Sequence, residues 1–130
     1  MTLSKATPST VLATADLQSI RHDYYICCLS REISLHIRRD VLTGRAKFGV
    51  SDDGKELYQI AMAKAYKNGD WRADYYRGHT LLLALNLAQP EDIFAQLYAD
   101  PDHDPFSGGR QMIGHHATPM TDAAGDWLPQ

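Results

Sequence analysis

The chain has 130 residues, 44% of them hydrophobic and 22% charged, with a formal net charge of -3. That suffices for one folded domain with its own core and excludes bulk disorder. Its 13 Lys and Arg against 16 Asp and Glu leave no basic excess for coating nucleic acid, and no apolar run reaches the ~18 to 20 residues that cross a bilayer.

Residues 1–14 read as a flexible N-terminal arm with Pro8 and small polar residues, without the continuous apolar stretch of a secretory signal. A long helix is expected from Asp16 to Thr43. Tyr25, Leu29, Ile33 and Ile37 repeat at i+4, and Leu17, Ile20, Tyr24 and Cys27 mark a neighbouring stripe. Gly44 suits the position just past its end. Cys27 and Cys28 are adjacent, so on a helix they point about 100° apart and do not readily bridge. They read as reduced core thiols, which fits a cytoplasmic setting. His22 and His36 on this helix read as surface or satisfied core groups.

Residues 45–53 form a loop, and Asp53 with Glu56 fits a capping box opening a second helix over Gly54 to Lys67. Leu57, Ile60, Ala61 and Ala65 make its narrow apolar face, and Asn68 and Gly69 stop it. A third helix, His79 to Leu87, is apolar nearly all round and is expected to be buried. Pro90 opens a fourth helix, with Glu91 and Asp92 at its positive end and Ile93, Phe94, Leu97 and Tyr98 on its core face; it ends near Asp100. A long loop follows, and no buried strand is evident.

Two segments are more polar than packing requires. In Tyr75-Tyr76-Arg77-Gly78-His79 the guanidinium offers a planar fork for phosphate or carboxylate, beside the amides of a helix N-terminus. Equally, Arg77 could pair with Asp74 in a surface ion network. In Ser107-Gly108-Gly109-Arg110-Gln111-Met112-Ile113-Gly114-His115-His116, paired glycines permit close backbone approach to a ligand, and the histidines can handle protons. The bland alternative is a flexible surface turn. Asp102, His103 and Asp104 match no zinc signature and break the calcium-loop pattern, so no metal site is assigned. Arg38, Arg39, Arg45 and Lys47 form a short basic cluster, which the overall acidity opposes as a nucleic-acid or phosphoprotein site.

Four motifs stand in order: Gly54-Lys55-Glu56-Leu57; Tyr76-Arg77-Gly78-His79; Pro90-Glu91-Asp92-Ile93-Phe94-Ala95-Gln96-Leu97; and Gly109-Arg110-Gln111-Met112 with His115. This order resembles the N-terminal part of the α subunit of thiamine-diphosphate-dependent 2-oxo acid dehydrogenases, of the branched-chain (2-oxoisovalerate) or pyruvate type. The likeness spans Leu17 to Met120. It implies an α/β thiamine-diphosphate-binding fold for the full-length parent, with this chain as its mainly α-helical N-terminal part over residues 15–120 and a truncated tail over 121–130. It also implies thiamine diphosphate as cofactor, bound through Tyr76 and Arg77, with Tyr75 where relatives often carry glutamine. By the same resemblance His115 is the catalytic histidine at the mouth of the active site. The implied partners are a β subunit or β half and a lipoyl acyltransferase, with no nucleic acid and no membrane.

The family's Gly-Asp-Gly motif, which holds Mg²⁺ on the diphosphate, has no counterpart: Gly69-Asp70 is followed by Trp71 and Gly125-Asp126 by Trp127. The chain is therefore expected to be the leading part of a longer α subunit, inactive alone. The competing expectation is a stand-alone helical interaction module without catalysis.

Overall fold

The computed structural model describes residues 16–72, 76–110, 116 and 124. Among them are four α-helices and no strand: α1 (Leu17–Leu42), α2 (Glu56–Ala65), α3 (His79–Ala84) and α4 (Pro90–Tyr98). No helix among the described residues is long and apolar enough to cross a membrane.

Asp16 starts α1 by accepting from the Gln18 amide, which satisfies one of the helix's orphan donors. The buried face of α1 is Ile26, Ser30, Ile33, Ser34, Ile37 and Asp40. It meets half of the expected stripes: Ile33 and Ile37 are in the core and Leu29 and Cys27 pack against it, but Tyr25, Leu17, Ile20 and Tyr24 are exposed. Three of the six buried positions are polar, so the apolar residues alone give an incomplete picture of the buried face, most of all in its N-terminal half.

The second helix spans Glu56–Ala65 and is shorter at both ends than the expected Gly54 to Lys67, and Asp53 does not cap it. Asp53 instead accepts from Arg38 and Ser51. Glu56 accepts from the Gly54 amide and pairs with Arg31 through both carboxylate oxygens, at 2.6 and 3.0 Å. Leu57, expected on the core face, is 80% exposed, whereas Ile60 is buried.

Helix α3 packs against both α1 and α2. It ends at Ala84, not at Leu87, because Asn86 takes a left-handed φ of 56° and the Leu87 amide reaches back to the Leu82 carbonyl. Helix α4 begins at Pro90 as the sequence predicts. Its capping box is formed by Gln89 and Asp92, and Ala99 ends it at a φ of 56°. Ile26, Ile33, Ile37, Ala46, Ile60, Leu83, Ile93 and Leu97 form one core joining all four helices. Gly49 permits this closure, since a Cβ there would lie 2.8 Å from Leu97 and 3.0 Å from Ile37.

Candidate functional site

The turn Tyr76-Arg77-Gly78 before α3 is held from two sides. From α2, the fully buried Gln59 donates through Nε2 to the Arg77 carbonyl at 2.9 Å, and its Oε1 accepts from the Leu81 amide at 2.8 Å. From the loop before α2, the fully buried Asp52 accepts from the His79 amide at 3.0 Å. The second Asp52 oxygen lies 3.1 Å from His79 Nδ1, an ion-pair distance that lacks the alignment of a hydrogen bond. On the far side of the ring, His79 Nε2 faces the Ser34 hydroxyl and the Ser30 carbonyl at 3.5 and 3.4 Å. Ser30 Oγ and Thr80 Oγ1 meet at 2.5 Å.

This arrangement corrects one expectation. Two of the first three amides of α3, those of His79 and Leu81, are taken by Asp52 and Gln59 and are not open to an anion. What remains for a ligand is the side chain of Arg77. Its guanidinium stacks 5.1 Å from the centroid of the Tyr76 ring, a cation–π contact. Its Nε is buried and meets no hydrogen-bond partner. A buried, unsatisfied cationic donor is costly and calls for an explanation, and an oxyanion supplies one. Tyr75, Asp74 and His115 lie outside the described residues.

The structure places His116, the last residue of the second polar segment, against Arg72 and Phe106 and within the field of His79. His116 is half-buried, with its ring edge-on to Phe106 at 4.7 Å between centroids. Arg72 donates to the His116 carbonyl at 3.2 Å. Both ring nitrogens of His116 are shut off from solvent and meet no hydrogen-bond partner. Burial, reinforced by the positive fields of His79 and Arg72, holds the imidazole down to about 4, against the opposing fields of Asp52 and Asp104.

The glycines of the second segment serve the chain itself. Asp104 accepts from the amides of Phe106, Ser107 and Gly109 and from the Ser107 hydroxyl. Burial raises its carboxyl, but these hydrogen bonds outweigh it and keep the group below the usual carboxylate range. Gly109 adopts a φ of 77°, and a Cβ there would lie 2.9 Å from the Ala99 carbonyl and the Pro101 backbone. The close approach is therefore chain to chain, and not chain to ligand. Among the described residues no group of three or more His, Cys, Asp or Glu could hold a metal ion. In the basic cluster, Arg38 pairs with Asp53 while Arg39 and Arg45 share Asp40.

Gln59, Asp52 and Ser34 position this turn, and none carries a sequence signal. Each is a common polar residue whose partner lies 18 to 27 positions away.

No solved structure matches the chain. Residues 29–126 match the family described as dehydrogenase E1 component, which covers the whole of the site above. With three quarters of its length inside that match, the chain belongs to the dehydrogenase E1 component family.

Proposed function

We propose that this chain is part of the decarboxylating component of a 2-oxo acid dehydrogenase, of the branched-chain or pyruvate type, and that Tyr76 and Arg77 hold the diphosphate of thiamine diphosphate. The observation that carries this reading is the buried, unpartnered Nε of Arg77. A guanidinium fixed by its own stacking and by a clamped main chain loses little freedom when it meets a diphosphate oxygen. The bound cofactor supplies the carbanion chemistry at the 2-oxo carbon. The residues of this chain bind and orient it: Gln59 and Asp52 set the turn, and Tyr76 and Arg77 present the donors. Tyr75 and His115 join them on the strength of the family pattern alone, His115 as the catalytic histidine.

Mg²⁺ is assigned to no residue here, because the family's Gly-Asp-Gly motif has no counterpart in this sequence. The family's activity also involves a β subunit or β half and a lipoyl acyltransferase. An open groove of about 860 Å³ between α1 and α2, lined by Ile20, Tyr24, Cys27 and Leu57 among others, supports a role in an assembly.

The test is calorimetric titration of the chain with inorganic diphosphate. Arg77→Ala is expected to lose on the order of 2 kcal/mol of binding, the scale of a charge-assisted contact. Unchanged affinity would assign the diphosphate elsewhere.

A further inference from the structure

We propose that His116 is a second ligand-binding residue, whose ring hydrogen-bonds an oxyanion group of the ligand that the Arg77 turn receives. This rests on the reading of Arg77 as a diphosphate contact. It does not follow from that reading, because the motif resemblance marks His115 and gives His116 no role.

The argument begins with what His116 lacks. An imidazole always carries at least one donor, and the neutral ring also one acceptor. In a folded interior nearly every such atom finds a partner. Here both nitrogens are enclosed, and neither has one. The ring is no loose appendage: Phe106 walls one side, and Arg72 holds its main-chain carbonyl. Packing alone would be served better by an apolar ring at this position, since two unsatisfied nitrogens cost free energy. A polar ligand removes that cost.

The charges around the ring select the ligand's class. The positive fields of His79 and Arg72 act on it more strongly than the negative fields of Asp52 and Asp104. Asp104 is saturated by its own turn, and Asp52 is taken up by His79, with one oxygen at its amide and the other 3.1 Å from its Nδ1. A net positive field and the ring's own N–H are therefore what a ligand meets, and an oxyanion matches them. Such an oxyanion also favours a protonated ring, so binding near neutral pH draws a proton onto His116. The oxyanion could come from the cofactor's diphosphate or from the carboxylate of a 2-oxo acid.

The experiment titrates the chain separately with inorganic diphosphate and with pyruvate. It follows the ring-nitrogen resonances of His116 and the Nε resonance of Arg77 by NMR, and counts proton uptake by calorimetry in buffers of different ionisation enthalpy. A shift of His116 with one ligand and not the other identifies the source. His116→Gln is expected to weaken that ligand roughly tenfold and to abolish the proton uptake. His116→Phe, which keeps the packing on Phe106, is expected to do the same. If Arg77 shifts with diphosphate while His116 moves with neither ligand, the proposal fails and the Arg77 reading stands. If both residues stay still at millimolar ligand, both fail.

Discussion

Gln59 holds Arg77 without touching its charge. The amide on α2 donates to the Arg77 carbonyl at 2.9 Å and accepts from the Leu81 amide at 2.8 Å. One buried side chain thus joins the candidate anion-binding turn to the first turn of α3, and it replaces the cap that Gly78 cannot provide. Gln59→Leu keeps the volume but leaves a buried amide and a carbonyl unmet. It is expected to lower stability by about 2 kcal/mol in denaturant melts. It should also weaken diphosphate binding, because Arg77 is then less well positioned. Glu at 59 keeps the acceptor for Leu81 but not the donor for Arg77, so Gln59→Glu should separate the two effects.

Gly108 and Gly109 both have positive φ, but they differ in surroundings. A Cβ at Gly108 meets open space, and one at Gly109 meets the Ala99 carbonyl and the Pro101 backbone at 2.9 Å. Gly108→Ala is expected to cost about 1 kcal/mol, the left-handed penalty alone. Gly109→Ala adds a backbone clash and should cost about 2 kcal/mol or more, measured side by side by thermal unfolding. Equal losses would mean that the close approach to residues 99–101 does not matter to the fold.

The Arg31–Glu56 pair links α1 to the start of α2. Its hydrogen bond from Arg31 holds the Glu56 carboxyl below the ordinary glutamate value, against the effect of burial. A depressed carboxylate contributes stability that is fully present above the unfolded value near ~4.3 and is lost as pH falls through the folded value. Wild-type stability should therefore drop steeply below about pH 4. Glu56→Gln should be less stable at neutral pH and should show a shallower acid limb in urea melts collected across pH.

The helical order was legible in the sequence because it depends on local signals: Gly44 just past the end of α1, Pro90 at the first helical position, and Ile33 and Ile37 one turn apart. Helix phase was not, because Ser30, Ser34 and Asp40 occupy the buried face of α1 and apolar Tyr24 and Leu17 lie outside it. Periodicity reads chemistry as burial, and here buried polar groups are partnered across the fold. Arg77 was legible as a residue type suited to anions. What makes it a candidate site is that Gln59 and Asp52 hold its turn while its Nε stays unpartnered. Those facts depend on contacts 18 to 27 residues apart and so exist only in three dimensions.

His116 gives a pH dependence in a different window. Its folded value near 4 lies below the ordinary ~6.5, so the neutral ring is the favoured form in the folded state. Between those values the unfolded chain binds more protons than the folded one, and stability rises with pH. The contribution is complete above about pH 6.5 and is lost as pH falls toward 4, before Glu56 is affected. His116→Phe removes both unsatisfied nitrogens while keeping a ring against Phe106. It is expected to be at least as stable as wild type at pH 7, and to lose the slope between pH 4 and 6.5. A variant that gains stability while losing oxyanion binding would mark His116 as a residue kept for its ligand and not for the fold. If instead His116→Phe is destabilised at pH 7 and keeps the slope, the histidine serves the packing and the titrating group lies elsewhere.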